Sequence, residues 1–487
     1  MTAEELFNSV VTKAKEFGLV AKNEGRSIID PKGNSIIRNN LIDQSFKDGS
    51  AFFAFLNYDE ETTGPYSDFS FVVFPDQKEP INACVVSLGV GLQGFRNDYK
   101  LASTPGVRRL FLKLKGQEKT FFKTSFDDTE STSSDLLKEI GANYSDLKTV
   151  IGSYKTYLPA SQIVSFDDEE KALDTIYTWL ACYAKMRSWG TADQKKLIEA
   201  QLDKIPQEEL PNEEEDIKKL LDKRKYVVLQ GAPGTGKTFT ALNIADKYYK
   251  DNPEDNSRVF FEQFHAETNY SDYVYGIEPI LGADAKPGQF KLKEGILYRA
   301  IKKAQEIEES EKKVLLIIDE INRANLSNVL GQVFYLFEYQ SKARNVTITI
   351  GDLELDKLPE NLHVIATMNT ADRSLAVVDF ALRRRFAWYT LRPHEIKPEK
   401  GKVFMRKTYT KFADIFFEYA TDEELNLQPG HSYFIVDKDD KDEEMKERMI
   451  YELMPLIKEY LAEGYLSKAK DSFCDLFLKE TGRLMYE

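Results

Sequence analysis

The spacing of hydrophobic and polar positions changes twice along the chain. Residues 1–20 predict a short amphipathic helix. From about residue 50 to 125 the pattern is strand-like. AFFAFLNY, FSFVVF and INACVVSLGV are runs of aromatic and β-branched residues with polar turns between them. Residues 134–158 read as helical, and the acidic step Asp167–Glu170 opens a longer helical stretch ending near Leu202. The segment PQEELPNEEED (206–216) has two prolines, a string of carboxylates and no apolar period, and predicts an exposed linker.

Beyond that segment the grammar is different. YVVLQ (226–230) is a short strand of the fully buried kind, followed at once by a Gly-rich turn and a helix. SRVFFEQF, VLLIID and HVIATMN are further strands separated by helical segments. Such alternation predicts a parallel sheet with helices on both faces, an α/β fold. NVTITIGDLEL (345–355) predicts a small hairpin before the HVIATMN strand, and the chain after about residue 392 reads as mainly helical. No internal repeat or low-complexity tract is present.

Composition narrows the picture. A chain of 487 residues exceeds one compact core, so two or three domains are expected. The formal net charge of −14 excludes a generic polyanion binder and confines nucleic-acid contact to a local basic patch or a ring of subunits. Cys84, Cys182 and Cys474 are far apart and odd in number, which argues against a disulfide framework or zinc cluster and for a reducing cytosol. His265, His363, His394 and His431 show no metal-ligand spacing. The N-terminus lacks the apolar core of a signal peptide, and no stretch approaches the ~18 apolar residues of a membrane span. A soluble, cytoplasmic chain with no membrane partner is the expectation.

The chemistry is concentrated in the second half. Gly231-Ala232-Pro233-Gly234-Thr235-Gly236-Lys237-Thr238, followed by Phe239, fits the P-loop pattern, with a strand before it and a helix after it. The glycines let backbone N–H groups turn inward around phosphate oxygens, and the helix N-terminus adds its positive end. Lys237 can reach the β- and γ-phosphates and Thr238 can ligate Mg²⁺. VLLIID (314–319) carries Asp319 to the C-terminal end of a strand, where open α/β sheets place their sites. Asp319 is assigned to the Mg²⁺ shell, and Glu320 to the base or water-orienting group for in-line attack on the γ-phosphate. Met368-Asn369-Thr370 ends the next strand, where a short polar side chain can bond the attacking water or the γ-phosphate. Asp379 to Phe386 reads DFALRRRF. Its arginines fit either a solvated helix end or an arginine finger that reaches a neighbouring subunit's nucleotide.

The run DEINRANLSNVLGQVFYLFE (319–338), with MNTADRSLAVVDFALRRRF (368–386), closely resembles McrB, the GTPase subunit of modification-dependent restriction systems. EQFHAETNYSDYVYGIEP (262–279), LKEGILYRAIKKA (292–304) and GHSYF (430–434) look like the same family, so the resemblance covers about 225–465. It implies an AAA+ P-loop NTPase core over 221–391 and a C-terminal helical lid over 392–487. These follow a separate α+β N-terminal domain over 1–190 and a helical and acidic linker over 191–220. It also implies GTP (or ATP) with Mg²⁺, a homo-oligomeric ring, usually a hexamer, and a McrC-like nuclease partner that docks on the ring. Hydrolysis would drive DNA translocation and the partner would cut. The motif-matched positions are Gly231, Gly236, Lys237, Thr238, Asp319, Glu320, Asn369, Asp372 and Arg373. Arg384 and Arg385 match the trans-acting arginines. No clear sensor-two arginine is found in the lid, and no base-contacting residue is identifiable. A MoxR-like ATP-using chaperone and a nucleotide-gated DNA-binding sensor remain alternatives, separable by nucleotide preference and turnover.

The N-terminal domain fits no known module. In the family this part recognises DNA, often through a modified base. Residues 94–123 hold Arg96, Lys100, Arg108 and Arg109 among other cations, interleaved with Tyr99 and several phenylalanines. Such a segment can neutralise phosphates and stack on a flipped base. Equally, it can be a strand pair with aromatics in the core and solvated cations outside. The chain shows no nuclease constellation of its own.

Overall fold

The computed structural model describes residues 1–19, 23–24, 27–29, 35–57, 69–90, 105–112, 114, 117–122, 134–151, 158, 160–187, 190–205, 212–280, 289–307, 311–338, 347–371 and 380–486. Contacts divide the chain into two compact units, Met1–Glu209 with Phe417–Tyr419, and Leu210–Phe416 with Ala420–Glu487.

The first unit is built on an antiparallel sheet. Its strands Phe53–Asn57, Phe69–Pro75 and Ala83–Val90 are the three expected from the aromatic runs. Both faces are covered, which explains why the runs are apolar throughout. Phe53, Phe55, Phe71, Val73, Cys84 and Val86 enter one core, whereas Phe52, Ala54, Val72, Phe74, Ala83 and Val85 enter another. The helix Glu169–Arg187 closes the first core with Trp179 and Tyr183, and the Trp179 indole N–H donates to Gln162 Oε1 at 2.6 Å. Ala160–Ser165, a strand the sequence reading passes over, pairs with Ala83–Val90 and supplies that Gln162.

Two local expectations are corrected. Residues 105–112 form a helix, not a strand, and bury Leu110. Thr120–Phe122 alone of the described residues in the basic-aromatic segment is a strand. The acidic run is only partly linker. Glu213–Arg224 is a helix whose cap, the Asn212 side chain, accepts from the Glu215 N–H. Glu213, Glu214, Glu215 and Asp216 occupy its first turn, where the positive end of the helix dipole favours carboxylates. Ile217 and Leu221 anchor it in the core.

The second unit contains a five-stranded parallel sheet in the spatial order Val259–Gln263, Val314–Asp319, Leu362–Asn369, Tyr226–Gly231, Ala387–Thr390. Alternate residues feed opposite cores here too. Val228, Leu316, Ile318 and Val364 face one side, and Val227, Leu229, Leu315, Ile317 and Ile365 the other. The expected hairpin is present as Ile348–Ile350 paired with Leu353–Leu355. The C-terminal part carries the helices Arg406–Tyr419, Lys441–Arg448, Met454–Ala462 and Lys470–Thr481. It is not wholly helical, because Lys402–Phe404 pairs with Ile435–Asp437. Among the described residues no helix is long and apolar enough to cross a membrane, and no His/Cys/Asp/Glu group is arranged to hold a metal ion.

Candidate active site

Three adjacent strand ends build the site. Tyr226–Gly231 runs into the loop 231–236 and then the helix Lys237–Tyr248. Gly234 and Gly236 both sit at φ +79°, a left-handed conformation that strains any residue with a Cβ, so the turn needs glycine at both positions. Lys237 is buried, and its ammonium donates to the carbonyls of Gly231 at 3.1 Å and Ala232 at 2.9 Å. The Thr235 hydroxyl donates to Ala232 O at 2.9 Å and braces the same turn. Pro233 is half-buried on the loop, whereas Phe239, one turn into the helix, is 59% exposed.

Val314–Asp319 brings Asp319 alongside. The Thr238 hydroxyl donates to Asp319 Oδ1 at 2.7 Å. A second hydroxyl, Thr367 in the neighbouring strand, donates to the same oxygen at 2.7 Å. Thr367 Oγ1 also accepts from the Glu320 N–H at 3.0 Å. One side chain thus fixes two consecutive acidic residues. Glu320 adopts φ 56°, ψ 48°, a left-handed conformation that costs about 1–2 kcal/mol for a residue with a Cβ. The turn points its carboxylate back toward the end of Leu362–Asn369. There Asn369 Nδ2 donates to Glu320 Oε1 at 2.8 Å, and Arg323 Nε lies 3.5 Å from Oε2. The structure therefore brings Lys237, Thr238, Asp319, Glu320 and Asn369 into one cluster. Asp372 and Arg373 lie outside the described residues, as do Arg96, Tyr99 and Lys100.

Arg384 and Arg385, adjacent on the helix Phe380–Arg385, are not equivalent. The Arg385 side chain is 8% exposed and lies over the Phe334 ring at 4.3 Å, with Glu338 Oε2 at 3.8 Å. The Arg384 side chain is 63% exposed and meets Glu338 Oε1 at 3.3 Å. In the first unit, Arg108 and Arg109 fall on the helix 105–112, where Arg109 is half-buried.

Sequence reasoning missed several residues at the site. Thr367 is one; Gly430, His431 and Ser432, from the C-terminal part, are others. The Gly430 N–H donates to Pro233 O at 2.9 Å and the Ser432 N–H to Gly234 O at 3.1 Å. The Thr370 N–H donates to Gly231 O at 3.1 Å, and its hydroxyl to Asn426 O at 2.8 Å. Gly430 has ordinary angles (φ −67°, ψ 166°), but a Cβ there would lie 1.9 Å from the Gly234 carbonyl carbon. Nothing in the string GHSYF alone marks that approach, because the backbone angles at Gly430 are ordinary and the contact is made only by tertiary packing. Burial pushes the His431 imidazole down to about 4, with the neighbouring His394 adding to the shift, so His431 is neutral near pH 7.

Residues 226–386 match the AAA domain of the dynein-related subfamily. The chain is 35% identical over 276 residues to the EcoKMcrB subunit of a type IV methyl-directed restriction enzyme from Escherichia coli. That match takes in 53% of this chain and 58% of the relative. It is 28% identical over 198 residues to YdiS, a component of the type II restriction enzyme BsuMI from Bacillus subtilis, covering 33% of this chain and 55% of that protein. The chain thus spans somewhat more than half the length of each relative.

Proposed function

We propose, from the premise that residues 226–386 form an AAA domain within a longer McrB-like stretch, that this chain is the GTP-hydrolysing motor of a McrBC-like restriction complex. It also recognises the DNA, through its N-terminal unit. Hydrolysis drives DNA translocation in a homo-oligomeric ring, and a separate McrC-like nuclease subunit cuts. The observation that carries the reading is the hydroxyl-centred network in which Thr367 holds both Asp319 and the Glu320 backbone while Asn369 aims the Glu320 carboxylate.

The side chains present suit a magnesium nucleotide. The positive φ at Gly234 and Gly236 turns the loop into the start of the helix Lys237–Tyr248, whose N-terminal N–H groups favour an anion. Lys237 stands at its head. Thr238 Oγ1 and an Asp319 oxygen, both hard donors, would hold Mg²⁺, which supplies charge neutralisation at the β- and γ-phosphates. Lys237 adds a fixed positive charge to the same phosphates. Glu320, oriented by Asn369, accepts the proton of the attacking water or holds that water in line. Arg384, exposed at the end of its helix, is the residue that reaches a neighbouring subunit's phosphates, and Arg385 positions it. The preference for GTP follows the resemblance of Asn369 to Ser374, with Asp372 and Arg373, to the McrB string.

Paired nucleotide-binding and phosphate-release assays on the full chain test this. Lys237→Ala is expected to abolish binding, and Glu320→Gln to keep binding and lose turnover. GTP is expected to be hydrolysed in clear preference to ATP. Normal turnover in Glu320→Gln removes that residue from the mechanism. Equal hydrolysis of both nucleotides with the nuclease partner present overturns the GTP reading in favour of an ATP-using remodeller.

A further inference from the structure

A second polar cluster lies against the P-loop at Gly236, and His394 in it follows the strand Ala387–Thr390, which flanks Tyr226–Gly231 on the side away from Val314–Asp319. His431, 9% exposed, sets its ring edge against the last glycine of the turn, since a Cβ on Gly236 would be 3.3 Å from His431 Nε2. Its Nδ1 is buried and has no hydrogen-bond partner among the described residues. The His394 ring packs edge-on against His431 with centroids 5.1 Å apart. His394 Nδ1 lies 3.0 Å from Arg392 O and 3.9 Å from Glu213 Oε1. The Glu213 side chain is 16% exposed, and His394 is its only ion-pair partner among the described residues. The order Gly236, His431, His394, Glu213 thus leads outward from the phosphate cradle.

We propose that Glu213, His394 and His431 form the nucleobase subsite, with the Glu213 carboxylate reading the N1–H and exocyclic amine of guanine. The assignment rests on the GTP reading above and supplies its base-selective residue. A nucleotide whose γ-phosphate meets Glu320 directs its ribose and base away from the Asp319 side of the cradle. A carboxylate is acceptor-only and takes two parallel N–H donors. Guanine offers that pair on its N1/C2 edge, whereas adenine presents an acceptor at N1. The imidazole rings supply flat faces for stacking, and the unpartnered His431 Nδ1 is available to a ribose or base atom. Two further features fit a ligand as the missing partner. Burial pushes the Glu213 carboxyl upward against the opposing pull of His394, and burial pushes the His431 imidazole downward, so both groups are held in surroundings that disfavour their charged forms.

The test is equilibrium competition binding on the full chain with GTP, ITP, XTP and ATP in the presence of Mg²⁺. With the unaltered chain, ITP, which lacks the 2-amino group, is expected to bind about tenfold more weakly than GTP. In Glu213→Gln, GTP is expected to weaken by about ten- to a hundredfold. XTP, whose C2 oxygen accepts from the introduced amide, gains on GTP by about tenfold or more. ITP binding as tightly as GTP overturns the assignment without recourse to a variant. An unchanged GTP-to-XTP ratio in Glu213→Gln overturns it too, and leaves a GTP preference intact if one is present. ATP binding as tightly as GTP to the unaltered chain sinks the GTP reading itself, and the subsite with it.

Discussion

Replacing Gly430 by alanine adds one methyl group at a position whose backbone angles suit alanine, so the perturbation is purely one of contact. The added Cβ would face the Gly234 carbonyl carbon at 1.9 Å, its oxygen at 2.1 Å and the Thr235 nitrogen at 2.2 Å. Ordinary carbon contacts are ~3.5 Å. All three neighbours are backbone atoms, so no side chain can swing aside. The loop must withdraw by more than about 1 Å, breaking the bonds from Gly430 to Pro233 and from Ser432 to Gly234. Two such bonds are worth about 1 kcal/mol each, and overpacking of this kind costs about 1–3 kcal/mol. If the cost falls on the phosphate cradle, nucleotide affinity drops by about ten- to a hundredfold. Titration calorimetry with GTP measures it, and circular dichroism checks that the fold persists. A folded Gly430→Ala protein that binds and hydrolyses nucleotide like its parent refutes the claim that this contact shapes the cradle.

Other expected outcomes follow from the same contacts. Arg385→Ala removes the cation over Phe334 and one of the cations beside Glu338, and should lower stability by about 1–3 kcal/mol in denaturant titration. Arg384→Ala should change stability by less than about 0.5 kcal/mol while losing turnover. Mixing it with Lys237→Ala subunits should restore part of that turnover, and no rescue in rings shown to be mixed counts against a trans role. His363 is buried and pushed down to about 3 from 6.5. Its folded value is depressed, so the unfolded chain binds more protons, and stability falls as pH drops from about 6.5 toward 3 by up to about 1.4 kcal/mol per unit. His363→Gln should flatten that slope in thermal melts of the second unit, and an unchanged slope assigns acid sensitivity elsewhere. Replacing Arg108 and Arg109 together by alanine should weaken DNA binding by the full chain and reduce the salt slope by about two. An unaltered slope places the DNA contacts elsewhere.

The sheet, the P-loop and the acidic strand end were legible because each is written locally. A buried strand reads as an apolar run, and a phosphate turn needs glycines at fixed positions. Thr367 was not legible: inside HVIATMN it resembles any β-branched strand residue, and its role appears only when the neighbouring strand delivers Asp319 to its hydroxyl. The GHSYF contact is equally invisible, because Gly430 and Gly234 meet through tertiary packing. Two misreadings had compositional causes. PGVRRLFL borders aromatic runs and was read with them as strand, yet it buries Leu110 on a helix. NEEED has no apolar period of its own, but Asn212 caps it and Ile217 and Leu221 follow at helical spacing.

Glu338 touches two cations at once, Arg385 at 3.8 Å in the interior and Arg384 at 3.3 Å toward solvent. Removing a carboxylate's partner is costly where it leaves an uncompensated buried charge, and Glu338 keeps a cation beside it when Arg384 is withdrawn. Arg384 can therefore exchange Glu338 for another anion without leaving a naked charge behind, because Arg385 stays in place. The pair resembles a latch with a spare pin: the exposed Arg384 is the member placed to let go, and the buried Arg385 the one that stays.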